Sequence, residues 1–159
     1  MIIVSDSGPI ISFARAGHLK LLRQLFQEIV IPEAVYKEIA VIGSGRAGAK
    51  EVIDEGWIRT RKIKNRLKIK QLPTTLGLGE REAIVLAQEL NGILLIDDRK
   101  AREVAEENGV SCFGSLRVLK EAKDKKLIES IKHIGDELRK KGLRIDSSLY
   151  QRFLQEMEE

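Results

Sequence analysis

With 159 residues, 43% of them hydrophobic, 33% charged and 4% aromatic, the chain has the balance of an ordinary globular protein, which excludes a disordered or fibrous one. No apolar run approaches the roughly 18 residues of a membrane span, and the opening MIIV lacks the basic leader and cleavage site of a signal peptide. A cytoplasmic protein with no membrane partner is therefore expected. A formal charge of +4 permits a polyanionic partner, while one cysteine and two histidines exclude an internal disulfide and argue against a zinc cluster or a cysteine-histidine nucleophile.

Along the chain, short β-branched runs alternate with helical patterns. A first strand is predicted at IIVS, ending at Asp6 before the break Ser7-Gly8-Pro9. Helical spacing follows in PIISFARAG and HLKLLRQLFQ, where Leu19, Leu22 and Phe26 share a face. EIVIP reads as a second strand, and PEAVYKEIAVI as a helix opened by Pro32 at its favoured first position. The glycine loop GSGRAG lacks the Lys-Ser or Lys-Thr completion of a phosphate-binding P-loop and follows a helix, so it is read as a plain connection to the short helix RAGAKEVIDEG. WIRTRKIK reads as extended, GEREAIVLAQELNG as a helix stopped by Asn-Gly, and GILLID and VSCF as strands, with Cys112 a buried strand-end thiol.

This order predicts one α/β domain over 1–159, with a mainly parallel sheet flanked by helices. Its core spans about 1–118, and the remaining 119–159 carry amphipathic helices without a strand between them. Leu127, Ile131, Ile134 and Leu138 form one apolar stripe. Leu149, Phe153 and Met157 form another, after a cap at Asp146 or Ser147. The stripes serve either the chain's own sheet or a partner surface.

Ligands of an open parallel sheet bind beyond the carboxyl ends of its strands, where strand order reverses. Asp6 ends the first strand, and Asp97 with Asp98 ends GILLIDD. Glu38 lies on the Ala34/Val35 side of its helix and is expected to point inward. Glu80 opens the next acidic helix, where it either complements the helix dipole or joins the site. Glu82, directly before the apolar run Ala83 to Ala87, is expected nearer the buried face. Carboxylates gathered this closely repel by roughly 2 to 4 kcal/mol per pair at an effective dielectric near 20. Oxygen ligands without histidine or thiol suit Mg²⁺ or Mn²⁺, which activate water for attack on a phosphodiester.

An acid after the first strand, P-x-x-V-x-x-E at Pro32 to Glu38, G-x-G-E-x-E-A at Gly77 to Ala83, and L-L-I-D-D at Leu94 to Asp98 together resemble the PIN domain, and most closely a branch related to the toxin nucleases of toxin-antitoxin pairs. The resemblance covers residues 1 to about 118. It implies a three-layer fold and a Mg²⁺- or Mn²⁺-dependent endoribonuclease site acting on single-stranded RNA. Asp6, Glu38, Glu82 and Asp98 match the four acids, with Asp97 as an adjoining metal ligand and Glu80 as a second choice. It further implies a homodimer and a small antitoxin protein as partners. Ser7 is expected either to hydrogen-bond within the site or to cap the helix starting at Pro9.

In RTRKIKNRLKIK the basic residues Lys62, Lys64, Arg66, Lys68 and Lys70 alternate with Ile63, Leu67 and Ile69. An extended segment would present them as one face, either an RNA-phosphate track or a lysine-protected edge strand. The main alternative function is a catalytically weak PIN-like module that binds RNA or a protein. A phosphoacceptor receiver domain is disfavoured, because residues 110–159 supply no further strand-aspartate or strand-lysine.

Overall fold

The computed structural model describes residues 1–159. Five parallel strands, β1 (Ile3–Ser5), β2 (Ile29–Pro32), β3 (Ile58–Arg61), β4 (Ile93–Leu95) and β5 (Cys112–Phe113), form one sheet in the order β3-β2-β1-β4-β5. The order reverses at β1, which pairs Val4 with Val30 on one side and Ile3, Val4 and Ser5 with Ile93, Leu94 and Leu95 on the other.

Successive strand residues face opposite sides of a sheet, and the strands are apolar on both. Ile3, Ile29, Ile31 and Leu95 enter one core, while Val4, Val30, Leu94 and Ile96 enter a second. The first is covered by α1 (Ser7–Arg15), α2 (Leu19–Phe26), α4 (Ala49–Asp54), α8 (Ser115–Asp124), α9 (Ile131–Lys140) and α10 (Ser147–Glu156). The second is covered by α5 (Arg66–Gln71), α6 (Leu78–Leu90) and α7 (Arg99–Glu107). The result is the expected three-layer α/β fold with a parallel central sheet flanked by helices.

The expected helix 32–42 divides. After α3 (Glu33–Tyr36) the backbone widens into a π-helical turn over Lys37–Ile42, closed by the Gly43 N–H donating to the Glu38 carbonyl at 3.0 Å. A Cβ on Gly43 would stand 2.7 Å from the Ile39 carbonyl oxygen, so glycine is what lets the wide turn close. Asn91 ends α6 at φ 52°, the left-handed stop that its Asn-Gly pair predicts.

The C-terminal stripe belongs to the chain's own core. Ile131, Ile134 and Leu138 are buried with Tyr150 and Leu154 against α1 and α2, whereas Leu127 precedes α9 and is exposed. In α10 the expected cap is Asp146, which accepts the Leu149 N–H at 3.0 Å, but the inward positions are Tyr150 and Leu154 rather than Leu149. Cys112 is half-buried, and burial pushes its thiol up to about 11, the character of an inert side chain.

Candidate active site

The strand reversal at β1 places the ends of β1 and β4 side by side. The Asp6 N–H donates to the Leu95 carbonyl at 3.0 Å, which fixes Asp6 beside the start of the Asp97-Asp98 pair. Asp6 is only 8% exposed, and its Oδ1 is buried without a hydrogen-bond partner. Burial pushes its carboxyl up to about 7. The Ser7 amide opposes that rise, and the charges of Glu80, Glu38 and Asp97 add to it.

Glu38 comes from the π-helical turn, a feature frequent at functional sites. Its Oε2 accepts the Ser7 hydroxyl at 2.6 Å, so Ser7 orients the neighbouring acid rather than capping α1. The Glu38 carboxylate lies where a side chain on residue 79 would be: a Cβ there would come within 2.1 Å of Oε1. Gly79 therefore lets α6 approach, and Glu80, the next residue, completes the group. Burial raises the Glu80 carboxyl, the Gly77 N–H held by its Oε1 at 2.9 Å opposes this, and Asp98 and Glu38 raise it further.

Asp97 accepts the Ser115 N–H on Oδ1 at 2.7 Å and the Ser115 hydroxyl on Oδ2 at 2.6 Å. Asp98 is exposed and caps α7 through the Ala101 N–H at 2.9 Å.

Glu82 does not join this group. Its buried Oε1 accepts the Ala34 N–H at 3.0 Å, satisfying the open start of α3, and its Oε2 faces Arg66 at 3.3 Å. Residues two apart on a helix point about 200° apart. Glu80 and Glu82 therefore cannot share one site, and the acid brought to Asp6 is Glu80.

The basic segment is not one extended face. β3 stops at Arg61, the Lys64 and Asn65 N–H groups turn to the Glu89 carboxylate, and Asn65 caps α5 by accepting the Lys68 N–H at 3.3 Å. Lys62 and Lys64 thus lie in a loop, while Arg66, Lys68 and Lys70 are distributed around a helix. Arg66 faces Glu82, and Lys68 Nζ reaches the Gln88 side chain at 3.2 Å.

The donor set is all oxygen, the neighbouring charges add to the raised carboxyls of Asp6 and Glu80, and a buried carboxylate oxygen lacks a partner. These features fit a hard divalent cation. No three acidic, histidine or cysteine side chains are already gathered tightly enough to grip an ion without adjustment.

A parallel five-stranded sheet flanked by helices, with carboxylates brought together at its reversal, matches a PIN-like fold. The family model for the PIN domain matches residues 2–159, and the chain belongs to that family, whose members are generally nucleases that typically use divalent metals. The match includes the C-terminal helices, beyond the 1–118 carried by the sequence motifs. Among solved structures the chain is similar to a PilT N-terminus domain protein from the hyperthermophilic archaeon Sulfolobus solfataricus P2, at 19% identity and a TM-score of 0.56. That alignment covers 92% of this chain and 98% of that one. The likeness shows the fold. No curated protein matches the chain.

Proposed function

We propose that the chain is a Mg²⁺- or Mn²⁺-dependent endoribonuclease that hydrolyses single-stranded RNA, of the kind found as the toxin of a toxin-antitoxin pair. The supporting observation is the buried, unpartnered Oδ1 of Asp6 among Glu38, Glu80 and Asp97 at the sheet's carboxyl edge. Asp6, Glu38, Glu80 and Asp98 would hold the ion, with Asp97 beside them. When bound, such an ion neutralises phosphate charge and lowers the pKa of water enough to supply a nucleophile.

The protein's part is positioning. Ser7 holds Glu38 toward the group, Ser115 holds the Asp97 side chain in place, and the Asp6 amide is pinned to β4, so the acids are positioned by hydrogen bonds to neighbouring elements. A small antitoxin protein and a second copy of the chain are the partners this reading adds, to be sought by co-purification and light-scattering mass.

Cleavage of a fluorescent single-stranded RNA with Mn²⁺ tests the reading. Glu80→Gln is expected to lose more than the roughly 100-fold typical of outer-shell partners, without loss of stability. Glu82→Gln is expected to keep activity while weakening the fold by about 1–3 kcal/mol, because the Ala34 N–H loses a charged acceptor. Activity lost in Glu82→Gln and retained in Glu80→Gln would reverse the assignment. Wild-type protein that binds RNA but leaves it intact under Mn²⁺ would instead establish a catalytically weak module that binds RNA.

A further inference from the structure

Two recesses, the first walled in part by Glu38 of the acidic group, are both approached by Arg15. The first, of about 530 Å³, runs between α1 and the π-helical turn with its following loop, with Glu38, Arg15 and Arg46 on its walls and Ile11 and Ile42 along it. It therefore begins at an acid of the site. Arg15 stands eight residues along α1 from Ser7, about 12 Å down the groove at helical rise.

The second recess, of about 780 Å³, is an open hollow at the α9–α10 turn, with Lys140, Arg139 and Arg144 around it. Arg15 joins the two: Gly142, at φ +111° in that turn, leaves room such that a Cβ there would lie 3.3 Å from Arg15 Nη1.

The cations along this path are uncommitted, whereas the acids near it are engaged. Arg15, Arg46, Lys140 and Arg144 form no ion pair. Asp136 accepts from Lys132 and Tyr150, Asp146 caps α10, and Glu137 lies between His18 and His133. The basic segment 62–70 differs, since Arg66 and Lys68 already have partners there.

We infer that an RNA single strand leaves the acidic centre along the α1 groove and continues over the α9–α10 turn, its phosphates held by Arg46, Arg15, Lys140 and Arg144. This path rests on the nuclease reading for its direction, but its charge does not depend on cutting. The groove pairs cations with aliphatic surface, which suits a strand carrying phosphates on one side and base faces on the other. It contains no aromatic side chain, so bases find no stacking platform and phosphate contacts dominate affinity. The salt dependence of binding is then the sensitive measure.

Binding of a fluorescent oligouridylate is measured across a salt series in an Asp6→Asn background, which separates binding from cutting. The double variants Arg15→Ala/Arg46→Ala and Lys140→Ala/Arg144→Ala are each expected to flatten the log–log salt slope by about 1.4, at about 0.7 per cation for a single strand. Arg15→Lys/Arg46→Lys should restore it. The control Lys62→Ala/Lys70→Ala should leave it in place. All four changed cations are exposed, so melting temperatures should match the parent and any mismatch is corrected by comparison with the lysine variant.

An unchanged slope in both test variants, or an equal fall in the control, would overturn the track. Cleavage by the otherwise wild-type protein is recorded in parallel. Cutting with an unchanged slope removes the track and leaves the nuclease reading, whereas a flattened slope without any cutting removes the nuclease reading and leaves the track as a binding surface.

Discussion

At Asp6, burial and repulsion from Glu80, Glu38 and Asp97 act in the same direction, and the Ser7 amide opposes them only in part. Two unit charges 4 Å apart at an effective dielectric of 20 would interact by about 4 kcal/mol, which bounds what any one close pair of these acids could cost the metal-free fold. The native carboxyl keeps its proton up to about 7 while the unfolded one releases it near 3.8. In EDTA, native protein therefore binds more protons between those values, and stability falls as pH rises through that window, by at most about 4 kcal/mol, before levelling above it. Asp6→Asn removes the Asp6 share of that slope and leaves the share from Glu80, whose carboxyl is also raised. At pH 8 without metal it should exceed wild type by about 1–3 kcal/mol after solvent screening, while Mn²⁺ should stabilise wild type more than the variant. Melting curves in EDTA and in Mn²⁺ check this, and a metal-free variant that melts below wild type would show Asp6 to be structural. The same scale shows what the sequence could convey. Asp6, Asp97 and Asp98 were legible because strand ends are legible. Glu80 and Glu82 both look suitable in one dimension, and the choice is made by the Ala34 N–H, which needs a buried acceptor and takes Glu82. The signal for Glu80 lies in the preceding Gly79, whose missing side chain admits Glu38.

At the level of elements, the strand expected through residue 64 ends at Arg61 because the local hydrogen bonds favour a turn. Glu89 takes the Lys64 and Asn65 amides that a continued ladder would have used, and Asn65 supplies a helix cap. The alternation of basic and apolar residues was real, but Ile63 and Ile69 are buried from a loop and a helix rather than from one strand. Nothing local in the sequence announces Glu89 as the acceptor of the Lys64 and Asn65 amides, 25 and 24 residues away. A similar distant contact organises α9. Burial raises the Glu159 carboxyl, but Lys123, the Ile131 and Lys132 amides and Ser130 outweigh it and bring it down to about 2. Glu159 thus satisfies the open amides at the start of α9. Since its folded pKa lies below the ordinary 4.5, its contribution is complete above pH 4.5 and is lost as pH falls toward 2. Glu159→Ala should cost about 0.5–2 kcal/mol at neutral pH, as for loss of a helix cap, and the difference from wild type should close on acidification. Urea midpoints at several pH values measure it, and a gap that persists at pH 2 would deny the carboxylate this role.

Across the whole molecule, the C-terminal helices are continuous with the sheet. Ile131, Leu138, Tyr150 and Leu154 share one core with Ile3, Phe13 and Trp57, residues drawn from both sides of the 118 boundary suggested by the motifs. That boundary was set just after the last recognisable motif and strand, because motifs report chemistry and not packing. Helical spacing, by contrast, foretold most of the buried stripe: Ile131, Ile134 and Leu138 all face inward. A shared core implies a shared transition. Trp57 is the chain's only tryptophan and is buried at the edge of β3, far in sequence from α9, so its fluorescence reports the sheet while far-UV circular dichroism reports mainly the helices. Denaturant curves from the two probes should coincide. Leu138→Ala, which empties a fully buried position in α9, should move both curves together by about 2–5 kcal/mol. Loss of helical signal in the variant at a denaturant concentration where Trp57 emission is still native would instead make residues 119–159 a separately unfolding layer, and the sheet with its acidic edge would then stand without them.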